Sequence, residues 1–271
     1  MIPAGNSRAT VSGRVSEVLA RLDRVQDPEL DESVTSLGFV TGVSVGDDGR
    51  VEIGFRLPTY WCAANFAFLM ADDMRTEVGR LPWVSGVGVV LGEHMYAETI
   101  NAAMQRGQSF QEAFAAEADG DLDALRRVFE LKAFQRRQMA LLDHLLAAGH
   151  APDVLMGLTI AELGLLPGDA DGARLAARYL ERRGVPGPDG PDAPAFVDEN
   201  GCAVAAAGFL AHRRTLRRVA VNVEFNGALC RGLLAARFDE PEGEPSLLDF
   251  AHGRVKHGRV KEAPRRHAAN Q

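Results

Sequence analysis

Cys62 stands in the run Leu57-Pro58-Thr59-Tyr60-Trp61-Cys62-Ala63-Ala64-Asn65-Phe66, between a segment with strand alternation and a segment with helical spacing. The unpaired N–H groups and aligned peptide dipoles at a helix start favour negative charge. A thiolate is both a nucleophile and a metal ligand, so this position points to metal binding or covalent chemistry; burial as a small hydrophobe is the alternative. Thr59 adds a hydroxyl to the same loop, and Tyr60 and Trp61 are aromatic anchors of the kind found where a loop meets a partner. Upstream, Asp27-Pro28-Glu29 places two carboxylates on a turn, where they either cap backbone N–H groups or take part in chemistry.

Further residues could join such a site. His94 and Glu98 are four apart, a spacing that shares one helix face and suits a borderline metal such as iron, or else marks an ordinary polar helix start. Cys230, in Asn226-Gly227-Ala228-Leu229-Cys230-Arg231, repeats the setting of Cys62 and offers a second thiol from a distant part of the chain; the alternative is again simple burial. Cys202 has no companion of this kind. His94 and His144 are the candidate bases if Cys62 is instead an enzymatic nucleophile. P-loop, G-x-G-x-x-G, G-x-S-x-G and C-x-x-C patterns are absent from the sequence, which leaves nucleotide-driven and standard hydrolase chemistry unsupported.

The order of motifs carries a resemblance. Asp27-Pro28-Glu29-Leu30, then Ser36-Leu37-Gly38-Phe39-Val40, then a β-hairpin, then Thr59-x-x-Cys62 opening a helix, is similar to the metal-sulfur cluster biosynthetic domain family of PaaD and SufT type. The resemblance covers residues 12 to 92. It implies a small protein supporting iron-sulfur cluster or iron-site maturation, with the acidic turn at Asp27 and Glu29, the loop hydroxyl at Thr59 and the cysteine at Cys62. The family usually has Gly-Cys-Pro at the last point, where this chain has Trp61-Cys62-Ala63. Longer relatives with a helical extension resemble accessory proteins of bacterial di-iron monooxygenases, which implies an iron enzyme as client.

Val15, Val18, Leu19, Leu22 and Val25 recur at helical spacing and predict an amphipathic helix over 12 to 25. Val51, Ile53, Phe55 and Leu57 alternate with Glu52, Gly54 and Arg56, which predicts a strand paired with 39 to 45 through the turn Gly46-Asp47-Asp48-Gly49. Phe66, Met70, Met74 and Val78 predict a helix over 63 to 78, and Val84 to Leu91 a third strand. The expected fold class is therefore an α+β N-terminal domain over 12–92, a small α-β-β-α-β sheet covered by helices. A mainly α domain over 93–238 is expected to follow, with helices at 93–105, 109–116, 121–148 and 172–183 and a proline-glycine loop at 184–194. Within it, the alternation of Val219, Val221 and Val223 predicts a strand over 218–225, turned at Asn226-Gly227 into a short helix holding Cys230.

At 271 residues, with 46% hydrophobic and 25% charged residues, the composition is that of a globular protein of two small domains. Three cysteines, odd in number and widely spaced, argue against a disulfide framework and for a reducing compartment. The sequence has no apolar leader and no run of about 20 apolar residues, so a cytoplasmic location is expected. A net charge of −7 opposes nucleic-acid binding in general. The acidic stretch from Asp239 and the basic repeats Gly253-Arg254-Val255-Lys256 and Gly258-Arg259-Val260-Lys261 make 239–271 an expected disordered tail. Together these readings describe a non-enzymatic accessory protein, a chaperone of metalloprotein maturation that holds iron or an iron-sulfur cluster transiently for a client metalloprotein. Its metal-handling residues are Cys62, Asp27 and Glu29, with Cys230, His94 and Glu98 in reserve, and Thr59, Tyr60 and Trp61 form its contact loop. The alternatives are a scaffold without metal chemistry and, third, a cysteine-nucleophile enzyme.

Overall fold

The computed structural model describes residues 5–114, 122–166 and 168–238, with the backbone alone for 5–11. The expected tail at 239–271 lies outside the described residues. The order is α1 (Gly5–Leu22), β1 (Val40–Val45), β2 (Arg50–Phe55), α2 (Ala64–Gly79), β3 (Gly86–Leu91), α3 (Ala97–Arg106), α4 (Phe110–Ala113), α5 (Leu122–Ala147), α6 (Pro152–Gly157), α7 (Ile160–Gly164), α8 (Ala170–Arg183) and α9 (Phe209–Phe238). An α+β N-terminal part is thus followed by a mainly helical one. Among the described residues no helix is long and apolar enough to cross a membrane.

The three strands form one sheet in the order β1-β2-β3. The hairpin pairs Val45 with Val51 and Val43 with Ile53, antiparallel; β2 and β3 run parallel, from Arg50 opposite Gly86 to Phe55 opposite Leu91. A parallel pair needs a crossover, and α2 supplies it. Val51, Ile53 and Phe55 put one face of β2 into the core, as their alternation requires, where they meet Val18 and Leu22 of α1 and Ala67, Met70, Met74 and Val78 of α2. Gly49 closes the hairpin at φ +83°, and a Cβ there would lie 2.5 Å from the Trp83 carbonyl oxygen, so no other residue fits without movement.

This first core also takes in Ile100, Ala103 and Met104 of α3 and Phe114 just after α4. A fragment of residues 12–114 is accordingly expected to unfold in one cooperative transition. One ending at residue 92 strips the α3 cover from α2 and β3, and is expected to lose that transition in thermal or urea unfolding followed by circular dichroism. A cooperative 12–92 fragment would show that the α3 contacts are dispensable.

The second core joins Phe134, Leu141 and Leu142 of α5, Leu155, Leu163, Tyr179 of α8, the segment Ala195-Phe196-Val197, and Phe209 and Leu216 of α9. The proline-glycine loop is irregular, as its composition demands, and buried side chains bind its end: the Tyr179 hydroxyl donates to the Ala195 carbonyl at 2.6 Å and Arg183 Nη2 to the Pro194 carbonyl at 2.7 Å.

The expected strand over 218–225 and the turn at Asn226-Gly227 are both overturned, since these residues lie inside the thirty-residue α9. The buried residues there are Leu216, Ala220, Val223 and Gly227, spaced four, three and four, which is the stripe of a helix packed on one side. Val221 is exposed, so the valine alternation does not separate an inner from an outer face.

Candidate functional site

Past Phe55 the chain runs through buried Leu57 and Pro58, turns at 59–61 and enters α2 at Ala64, with Ala63 as the N-cap residue. Cys62 therefore sits one residue before the cap, half-buried, with its sulfur 2.9 Å from Thr59 Oγ1. The backbone of this loop is clamped from the turn after β3. The Met95 N–H donates to the Tyr60 carbonyl at 2.9 Å. The Tyr96 N–H donates to His94 Nδ1 at 3.2 Å, so the ring hydrogen is assigned to Nε2, which donates to the Cys62 carbonyl at 2.8 Å. Burial, assisted by the charge of Arg237, pushes the His94 imidazole below its usual range against the pull of the Cys62 carbonyl, and the neutral ring fits this bonding. A third clamp comes from α9, where Arg237 donates to the Leu57 carbonyl at 3.2 Å and to the Glu93 carbonyl at 2.8 Å. The tip of the loop is open: Tyr60 is 51% and Trp61 73% exposed.

The acidic turn is held just as firmly. Asp27 Oδ1 accepts from the Glu29 N–H at 2.9 Å and the Leu30 N–H at 2.7 Å, so this carboxylate does cap its own turn. Burial nevertheless dominates and pushes the Asp27 carboxyl up to about 6; the Glu29 and Glu32 charges add to the rise, and the two backbone bonds oppose it. Asp31 closes the turn with φ +50°, a left-handed conformation uncommon outside glycine, asparagine and aspartate. It is locked from the helical part: Arg137 Nε and Nη2 bind its two carboxylate oxygens at 2.7 and 2.8 Å, and Arg178 donates to its carbonyl at 3.1 Å.

From the third side, the inward stripe of α9 continues past Gly227 to Cys230 and Leu234, both half-buried and packed against the first core, as Cys62 is. Asn226 donates to Glu29 Oε1 at 2.8 Å and Arg231 to Glu32 Oε2 at 3.0 Å. The Cys230 thiol is pushed up to about 11, first by burial and then by the charges of Asp27, Cys62 and Glu29, with Arg231 opposing.

The structure brings Cys62 to Thr59, and sets Cys230 on the stretch of α9 that is fastened to the turn of Asp27 and Glu29. It does not gather His94 and Glu98 with them as ligands. His94 precedes α3 and has both ring nitrogens in backbone hydrogen bonds, while Glu98 is exposed in the first turn of α3. His94 meets Cys62 through the carbonyl and not the sulfur, and His144 pairs with Asp169 at 3.1 Å in the helical part, so neither is arranged as a base for a cysteine nucleophile. Among the described residues no three His, Cys, Asp or Glu side chains are grouped to hold a metal by themselves. Asp31, Arg137, Asn226, Arg231 and Arg237 were not singled out by sequence. The signal available for the last three was the unbroken helical spacing of α9; for the Asp31–Arg137 pair there was none.

Comparison with known proteins bears on one part of the chain. No curated protein and no solved structure matches it. Residues 16–90 match the family model described as iron-sulfur cluster assembly protein. The matched stretch is the N-terminal α+β unit, which carries Asp27, Glu29, Thr59 and Cys62, and the helical remainder with Cys230 lies outside it.

Proposed function

We propose that the protein is an accessory factor that takes iron or an iron-sulfur cluster as cargo and passes it to a client metalloprotein. Cys62 is the main sulfur ligand to the cargo, Asp27 and Glu29 are the carboxylates beside it, and Tyr60 and Trp61 dock the client. The observation that carries this reading is the contrast within one loop: three sets of backbone bonds fix residues 57–62, while the thiol stays half-exposed next to two solvent-facing aromatics. A purely structural cysteine needs no such presentation. Soft thiolate suits cluster iron, and carboxylate suits the ferrous ion before it is incorporated. Thr59 is placed to hydrogen-bond the sulfur and so to orient it.

The client class favoured is the di-iron monooxygenases, on the resemblance of residues 12 to 92, followed by a helical extension, to longer relatives of that kind. A second reading, a scaffold acting through its surface alone, draws on the exposure of Trp61. One experiment separates them: co-express a di-iron hydroxylase with each variant and measure iron per hydroxylase. Metal handling predicts that Cys62→Ser lowers occupancy to the level without the accessory protein while association persists. Scaffolding predicts that Tyr60→Ala with Trp61→Ala abolishes association and that Cys62→Ser changes nothing. Full occupancy with Cys62→Ser sinks the metal-handling mechanism.

A further inference from the structure

We infer that Cys230 is the second sulfur ligand of this site, so that the helical part of the chain completes a two-thiol site for thiophilic iron of which the cluster-assembly domain supplies only Cys62. The inference rests on the function proposed above and adds a residue that lies outside the family match.

The geometry of α9 is the main argument. One stripe of this helix packs inward along its length, but against two different things. Leu216 and Ala220 belong to the second core, whereas Cys230 and Leu234 pack on the first. Three polar anchors bracket Cys230 on that second stretch: Asn226 to Glu29, one turn before it, Arg231 to Glu32 beside it, and Arg237 to the Leu57 and Glu93 carbonyls two turns beyond. The first two fasten the helix to the acidic turn and the third to the base of the Cys62 loop. A residue lying between those anchors on the inward stripe is held between the turn and the loop, and that residue is Cys230.

The chemistry agrees with the placement. Both thiols are free and half-buried, so neither is spent in a disulfide. Both thiols pack against the same first core, Cys62 from the loop before α2 and Cys230 from α9. Iron in clusters is held by thiolates, and a ferrous or cobaltous ion bound by both sulfurs displaces their two protons to solvent with no change in oxidation state. Two sulfurs leave coordination positions for the carboxylates proposed above and for a donor or an acceptor. That suits a carrier better than a store.

The test uses the full chain in a Cys202→Ser background, reduced and anaerobic, with cobalt(II) as the probe. Thiolate-to-cobalt charge-transfer absorption counts the sulfur ligands. The inference expects one cobalt per chain, a band reduced to about half in Cys230→Ala and in Cys62→Ala, and no band in the double variant. Alanine keeps position 230 apolar, so the fold is spared a buried hydroxyl. A trivalent phenylarsenical, which binds tightly only where two thiols converge, gives an independent reading on the unsubstituted pair: uptake of one equivalent is expected, and no uptake overturns the inference. If Cys230→Ala leaves the cobalt band unchanged while Cys62→Ala removes it, Cys230 is a packing residue and the inference fails alone. If neither substitution changes the band, or no band forms, the proposed function fails with it.

Discussion

Arg137→Ala is expected to lower the unfolding free energy by about 3–5 kcal/mol, among the largest losses any single substitution away from an aromatic core residue should cause here. The size follows from an asymmetry. Bringing Asp31 and Arg137 together out of water costs desolvation that their attraction roughly repays, so the intact pair adds little net stability. Removing one partner keeps the desolvation of the other and deletes the attraction. Asp31 is only 3% exposed and Arg137 7%, and both carboxylate oxygens face the guanidinium at 2.7 and 2.8 Å, so little water can replace it. Arg178, with its side chain 41% exposed and 3.6 Å from the carboxylate, compensates in part. A chemical-denaturation series reads the loss directly, and a double variant, Asp31→Asn with Arg137→Met, should recover most of it because no unpaired charge remains. A loss below about 1 kcal/mol in Arg137→Ala would mean that the pair behaves like a surface ion pair.

The consequence reaches the site. Asp31 ends the turn that begins at Asp27, and its left-handed backbone persists because Arg137 and Arg178 hold both its side chain and its carbonyl. The helical part thereby fixes the shape of the acidic turn. Iron delivery should fall in Arg137→Ala even at temperatures where the variant remains folded, since Asp27 and Glu29 then sit on a looser turn.

What could be read from the sequence divides along a physical line. The sheet was legible because Val51, Ile53 and Phe55 alternate strictly, with charged or glycine neighbours between them, and α2 because Phe66, Met70, Met74 and Val78 recur at helical spacing. Periodicity of this kind states which face of an element is inward. It does not state what that face meets, so the contact of Arg137 with Asp31, 106 positions apart, left no trace. One valine-rich segment shows the ambiguity of short windows: Val219, Val221 and Val223 match a strand by every second residue, yet Leu216, Ala220, Val223 and Gly227 fix the same segment as helix once the window is widened. The short α7 was missed although Thr159 and Glu162 form a capping box, a signal readable three residues apart. Of the candidate site, Cys62 and Thr59 stand out in the sequence by their loop, and the structure sets them 2.9 Å apart. His94 was legible as chemistry-bearing but not in its role, because its two backbone partners come from tertiary folding.

Asp27→Asn is expected to stabilise the protein at pH 7. The carboxyl titrates at about 6 in the folded chain against 3.8 as the reference for the unfolded one. Between those values the folded state holds a proton that the unfolded state has released, so this group's contribution to stability is greatest below pH 3.8 and falls as pH rises through 6. Above that the loss is constant, and a difference of this size corresponds to about 3 kcal/mol. Asparagine keeps an oxygen to accept from the Glu29 and Leu30 amides and removes the buried charge, so the cap survives and the cost disappears. The stability difference between variant and parent should therefore be near zero at pH 4 and grow to on the order of 2–3 kcal/mol in favour of the variant at pH 7. Taking the difference cancels the other titrating groups, which both proteins share. A variant less stable than the parent at pH 7 would show that the charge is compensated in place. If the expected sign holds, a cap alone does not account for aspartate at this position, because asparagine would cap as well and cost less. A cation beside the carboxylate would recover the energy that burial takes away. The same variant should thus be the more stable protein and the poorer at delivering iron, two measurements that a purely structural Asp27 cannot satisfy together.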